Sequence, residues 1–189
     1  AGAVSMKYCS SANQTNVGFL GCGAIARNMA RAAAAVRPFE GMVFAFDGAE
    51  EFAKDMEAEL GMPFKVASSA EDLCGAVDVL FTQTPSSTPV FESQWLNPKG
   101  VTIIASGSDQ PTKNEIPVDL LASCKYVSDL TKQTARVGEL RCATEAGLMT
   151  EADVHAELGE IVNGTKAGRE GNEHIVVDLT GTGAQDAAI

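Results

Sequence analysis

The chain lacks any apolar run close to the ~20 residues that a bilayer-spanning helix needs, and its opening residues, AGAVSMKYCS, contain neither a basic stretch nor an apolar core of the signal-peptide kind. These absences lead us to expect a cytoplasmic protein with no membrane partner. Positive charge is scarce: 14 Lys and Arg stand against 25 Asp and Glu, for a net charge of −11, and the basic residues form no cluster. Nucleic acid and anionic membrane surfaces are therefore excluded as expected partners, and a small ligand is favoured. The five cysteines (Cys9, Cys22, Cys74, Cys124 and Cys142) are odd in number and form no CxxC, so they suit neither a disulfide framework nor a zinc site. The two histidines, His155 and His174, have no Cys or His at metal-ligand spacing, and no metal is expected.

What the sequence does have is alternation. Short β-branched or aromatic runs at Val17–Leu20, Val43–Phe46, Phe64–Ala67, Val77–Thr82, Val101–Ala105, Tyr126–Val127 and Ile175–Val177 read as strands buried on both faces. Helical stretches separate them. Ala24–Val36 halts before Pro38, and AEEFAKDMEAELG places Phe52, Met56 and Leu60 on one face before Gly61. Ser69 with Asp72, and Thr150 with Asp153, have capping-box spacing, and Asn163-Gly164 reads as the stop of a helix opened at Thr150. Phe91 and Trp95, four residues apart, read as the packing face of a short helix. The pattern predicts an α/β fold of Rossmann type, a doubly wound, mainly parallel sheet with helices on both faces and a ligand crevice at the carboxyl ends of the strands.

The segment NVGFLGCGAIARNMA sharpens the expectation. GCGAIA is GxGxxA between a strand and a helix: Gly21 for the tight turn, Gly23 for close approach of backbone to a pyrophosphate, Ala26 for close helix–strand packing. Cys22 reads as a small residue tolerated between the glycines, and the N–H groups of Ala24 and Ile25 would face the phosphate charge at the helix start. Asp47, a little beyond the ~20-residue spacing usual for a ribose-binding acid, would accept the hydroxyls of the adenosine ribose. No Arg or Lys follows it immediately, the next residues being Gly48, Ala49 and Glu50, so a 2′-phosphate would be repelled and NAD is favoured over NADP. The competing reading of Asp47 is a loop acid that caps the next helix.

VGFLGCGAIA, TQTPSSTPV (82–90), IIASGSDQPTKNEI (103–116), RVGEL (136–140), ELGEIVNGTKAGRE (157–170) and IVVDLTGTGAQDAA (175–188) together resemble the ornithine cyclodeaminase/μ-crystallin family, in family order across nearly the whole chain. The resemblance implies an NAD-binding domain at 16–181, preceded at 1–15 by a connecting helix from a substrate and dimerisation domain, and followed at 182–189 by the start of a helix returning to it. It implies a homodimer formed through that other domain, and an amino-acid substrate. Asp109 matches the family's proton-handling acid, while Thr84, Pro85, Ser86, Ser108 and Lys113 match cofactor-side positions. From spacing alone Asp109 is equally a turn residue bonded to its own backbone, Thr84–Ser86 an ordinary Pro-Ser turn, Lys113 a solvated side chain and Glu115 a charge favouring the next helix start. Three readings follow: a cyclodeaminase that releases ammonia through transient hydride transfer to NAD, an amino- or imino-acid dehydrogenase or reductase, and a non-catalytic nucleotide-binding protein.

Overall fold

The structure, a computed structural model, describes residues 1–181 and residue 183; apart from Gly183, the expected returning helix at 182–189 lies outside the described residues. After α1 (Gly2–Cys9) the chain runs β1 (Asn16–Leu20), α2 (Ala24–Ala34), β2 (Glu40–Phe44), α3 (Ala49–Leu60) and β3 (Phe64–Val66). It continues through α4 (Ala70–Ala76), β4 (Val79–Thr82), β5 (Thr102–Ala105), α5 (Val118–Ser123), β6 (Lys125–Ser128), α6 (Thr131–Val137), α7 (Glu139–Glu145), β7 (Ala156–Glu157), α8 (Leu158–Val162) and β8 (Ile175–Asp178). The strands form one eight-stranded sheet in the order β3-β2-β1-β4-β5-β8-β6-β7, with every pairing parallel. This is the doubly wound Rossmann-type sheet. Its order reverses between β1 and β4, the switch point at which such sheets open a crevice.

Side chains alternate across the sheet as strand geometry requires. Val17 and Phe19 of β1, with Val79 and Phe81 of β4, enter a core shared with α1, α2, α3 and α8. Leu20, Leu80, Ile103 and Val176 face the opposite side, against α4, α5 and α7. Phe19 is the hub of the first core, its ring 5.3 Å from that of Phe81 and 5.7–6.2 Å from those of Phe39, Phe52 and Phe64. The alanine-rich composition of α2 has a packing cause: Ala26, Ala30 and Ala33 are buried, which lets the helix pack closely on α1, α3 and β4.

Several boundaries differ from expectation. The second strand ends at Phe44 rather than Phe46, because Ala45 and Phe46 leave the sheet to form a lip over the crevice. Thr150 and Asp153 do cap each other, but they close only a 3-10 turn. The backbone N–H of His155 then donates to Tyr126 O (2.9 Å), drawing the chain into the unforeseen edge strand β7. A second reciprocal cap, Glu157 with Glu160, opens α8, which ends at Asn163 with Gly164 at φ +77°. Ser69 caps α4, but the Asp72 carboxylate reaches back to Ser68 N–H rather than to Ser69. Phe91 is buried outside any helix, while Trp95 ends a 3-10 turn, half-buried against the second core.

No described helix is long and apolar enough to cross a membrane. The two imidazoles have structural partners: His174 Nδ1 accepts from Val101 N–H (3.1 Å) and His155 Nε2 lies 2.8 Å from Ala167 O.

Candidate cofactor crevice

The turn after β1 is shaped by two glycines with different duties. Gly21 sits at φ +100°, and a Cβ there would stand 2.9 Å from Gln83 O, so both conformation and space require glycine. Its N–H donates to Phe44 O (2.9 Å), and Gln83 Nε2 donates to Leu20 O (2.9 Å) and Gly21 O (3.1 Å), so the turn is tied to β2 and to the end of β4. Gly23 is the N-cap residue of the eleven-residue α2, and a Cβ built on it meets nothing within 4 Å. Among the described residues no side chain caps this helix, and its first turn holds no acid, so the N–H groups of Ala24 and Ile25 are left at the positive end of the dipole. The Cys22 thiol donates to Asp47 O (3.0 Å). That contact fastens the phosphate-type turn to the β2–α3 loop, a tie invisible to a reading of Cys22 as a mere spacer.

A crevice of about 770 Å³ opens at this turn. One wall is Gly21, Cys22 and Gly23, the second Phe44, Ala45 and Phe46, and the third Thr84, Pro85 and Ser86. A separate hollow of about 580 Å³, beside Phe91, Pro117, Leu120 and His174, contains neither the glycine turn nor a strand end. Six of the expected residues thus converge on the crevice: Gly21, Cys22, Gly23, Thr84, Pro85 and Ser86. Ala24 and Ile25 are exposed at the helix start beside it. Asp47 lies just past the lip, exposed, next to the fully exposed Phe46 and ahead of Gly48, whose φ of +76° turns the chain into α3.

The loop after β5 is built differently. Asp109 is exposed and its Oδ1 accepts from Lys113 Nζ (2.7 Å), which leaves neither in the crevice lining. Ser108 is buried, and its hydroxyl donates to the Glu139 carboxylate, so its side chain is committed inside the protein. Beneath the loop lie three buried acids that local pattern did not single out for this role. Glu115 accepts from Thr82 Oγ (2.9 Å), Gly107 N–H (2.9 Å) and Thr84 N–H, so it is a core ligand of the loops rather than a charge at a helix start. Glu139 accepts from Glu115 N–H (2.8 Å), Ile116 N–H (3.2 Å), Asn114 Nδ2 and Ser108. Asp178 accepts from Glu139 N–H (2.7 Å) and from Tyr126 OH, while its Oδ1 is buried without a partner among the described residues.

Burial pushes all three carboxyl groups above the ordinary carboxylate range. For Glu115 the hydrogen bonds from Thr84 oppose that effect, and for Asp178 the neighbouring charge of Glu139 reinforces it. Gly138 is glycine for a related reason, since a Cβ there would lie 2.5 Å from Asp178 Oδ2. The sequence signal for this network was the set of motifs RVGEL and IVVD, which carry no period that predicts a contact. Among the described residues no group of three or more His, Cys, Asp or Glu side chains is arranged to hold a metal ion.

Comparison with known proteins agrees with this geometry. The model of the ornithine cyclodeaminase/mu-crystallin family matches residues 1–189. Alanine dehydrogenase of Archaeoglobus fulgidus is 36% identical over the whole chain, which covers 59% of that protein. The iminosuccinate reductase of Paracoccus denitrificans in complex with NAD+ superposes with a TM-score of 0.90 at 33% identity, over 98% of this chain and 57% of that one. Delta(1)-pyrroline-2-carboxylate reductase of Thermococcus litoralis, in complex with NADH and L-proline, gives a TM-score of 0.89 at 28% identity, over 95% of this chain and 57% of that one. The chain spans a little over half the length of the relatives it matches.

Proposed function

The chain belongs to the ornithine cyclodeaminase/mu-crystallin family, and from that premise we propose that it is the NAD-binding portion of an enzyme that moves a hydride between nicotinamide and the α-carbon of a small amino or imino acid. The observation that carries this reading is the uncapped start of α2 behind Gly23, opening onto the crevice in a fold that superposes on an NAD-bound relative. The residues fit a dinucleotide. The bare turn at Gly21–Gly23 would receive the pyrophosphate on the N–H groups of Ala24 and Ile25, because no side chain fills the space in front of Gly23. Asp47, at the lip, would take the ribose hydroxyls, a charge-assisted contact of roughly 1.5–3 kcal/mol. Thr84, Pro85 and Ser86 would line the path toward the nicotinamide.

When bound, the nicotinamide supplies the hydride acceptor or donor. The chain's own part is to hold that ring at the sheet edge and to offer a proton-handling group near it. Asp109, two strands from the glycine turn on the same edge, would take the proton role, with Lys113 orienting its carboxylate. Substrate recognition and dimer contacts belong in this proposal to the part of the relatives that the chain does not span.

The matching relatives are mostly dehydrogenases and reductases, which places net redox chemistry ahead of the ammonia-releasing cyclisation expected from the motifs, although cyclodeaminases stand among them as well. Cyclodeaminase chemistry remains a second reading because GSDQPTKNE, with Asp109, resembles a signature of the whole family, and a cyclodeaminase of Sinorhizobium fredii is 35% identical over the chain. In the complete protein the two separate by product: stoichiometric change in reduced nicotinamide for the first, a cyclic imino acid plus ammonia without such change for the second. For this chain the deciding experiment is calorimetric titration with NAD. We expect binding by the wild-type chain and a loss of at least about tenfold in Gly23→Ala, equivalent to ~1.4 kcal/mol, with an unchanged melting temperature. Absence of NAD binding by the wild-type chain, or undiminished binding by the variant, overturns the proposal.

A further inference from the structure

We propose that Glu115 is a positioning residue that locks the Asp109 loop to the crevice loop after β4, so that the two shift together when a nucleotide seats. The inference rests on the preceding reading of the crevice as the cofactor site, although its first test does not depend on it.

The fully buried Glu115 carboxylate joins two separate segments. On one side it accepts from Thr82 Oγ and Thr84 N–H, at the end of β4 and the start of the crevice wall. On the other it accepts from Gly107 N–H, two residues before Asp109. The main chain repeats the connection, since Val90 N–H donates to Glu115 O (2.9 Å) and Asn114 N–H donates to Ser86 O (3.0 Å). The segment 84–90 is therefore fastened to 114–115 at both ends, and the carboxylate reaches across to 107. Gly107 is itself shaped for this contact. A Cβ at that position would lie 2.3 Å from the Glu115 carboxyl carbon, so any larger residue would expel the carboxylate.

Chemistry explains why the position holds an acid. All three partners are donors, two of them backbone N–H groups whose direction is fixed. A carboxylate can face all three with oxygen, whereas the amide of glutamine must turn an NH2 group toward an N–H on at least one side. Burying a carboxylate with no cation against it is costly, and Glu139 stands close enough to raise that cost. A neutral contact could fill the space at lower cost but could not join three donors. Glu139 completes the device from the far side. It holds Ser108 and the N–H groups of Glu115 and Ile116, so the loop that carries Asp109 is fixed to α7 as well as to β4.

Amide hydrogen exchange on this chain tests the inference, with NAD as the added probe. In the wild-type chain the Thr84 and Gly107 amides should be protected alike. Glu115→Gln should speed exchange at both together, by at least about tenfold. With NAD added, the wild type should slow exchange at Thr84–Ser86 and also at Gly107–Asp109, and Glu115→Gln should confine the slowing to the first segment. Should that variant fail to fold, Thr82→Val removes one donor and should accelerate the same two amides together, by less. The inference is overturned if either amide keeps its protection in the variant, or if NAD still slows both segments there. If NAD has no effect on the wild type, the cofactor reading fails, while the ligand-free comparison still decides the role of Glu115.

Discussion

The turn after β1 and the loop after β5 lie two strands apart on the same edge of one sheet, and they are held by opposite means. The first is held by backbone geometry and by neutral side chains, Gln83 and Cys22. Glycine at φ +100°, main-chain hydrogen bonds and the aromatic cluster beneath it leave its N–H groups free to meet a negative ligand. The second is held by buried carboxylates that consume nearly every donor around them. An anion cannot share a phosphate turn with acids, so the first site must do without them. A loop that has to present one carboxylate at a fixed place has no such restriction, and buried acceptors are a strong way to fix it.

The largest effect should come from breaking the support of the first site. Phe19→Ala removes the ring that contacts Phe39, Phe52, Phe64 and Phe81, and should cost about 3–5 kcal/mol in denaturant unfolding. A loss below ~1 kcal/mol would mean that the turn is supported by its hydrogen bonds alone. Next comes Gly21→Ala, which must accept φ +100° and a 2.9 Å approach to Gln83 O, at a cost of about 1–3 kcal/mol. Gly23→Ala, two residues on, should leave unfolding unchanged while weakening NAD. Equal destabilisation by the two would erase the division of labour between these glycines.

The difference between the two regions also explains what the sequence made legible. GxGxxA works through residues adjacent in the chain, so Gly21, Gly23 and the start of α2 were readable from a six-residue window. Strand alternation carried the sheet, but it could not carry β7, a two-residue strand that exists because His155 N–H meets Tyr126 O. Apart from Gly107 with Glu115, the network under Asp109 joins residues 23 to 52 positions apart. In a linear reading Glu115 and Glu139 look like any solvated acid near a helix start. Only the arrival of β8 between β5 and β6 puts Asp178 above Glu139 and turns surface-type residues into core.

A smaller effect should distinguish the regions by pH. Glu115, Glu139 and Asp178 all have raised values in the folded chain, so folding retains protons that the unfolded chain releases above the ordinary carboxylate value of ~4.3. Their contribution is complete below that value and is lost as pH rises through the folded-state values. Asp72 and Asp153, exposed caps with lowered values, act in the opposite sense and only at more acid pH. Thermal melts should therefore show the wild type gaining on Glu139→Gln as pH falls from about 8 to about 5. A gap between the two that is constant over this range would mean that Glu139 stays ionised throughout.

The smallest effect concerns the end of the lip, where the proposed cofactor reading puts the ribose. Asp47 is exposed, and among the described residues only its carbonyl is engaged, by Cys22. Its carboxylate thus adds little to folding, and Asp47→Asn should leave the melting temperature unchanged. Discrimination is another matter, because a carboxylate both accepts from ribose hydroxyls and repels a 2′-phosphate. Asparagine keeps some of the hydrogen bonding and loses the repulsion, so the preference for NAD over NADP should narrow by about tenfold, or ~1.4 kcal/mol, mainly through tighter NADP binding. Calorimetry with both dinucleotides checks this. An unchanged ratio would place the source of selectivity in the backbone turn and the exposed Phe46 rather than in a charge.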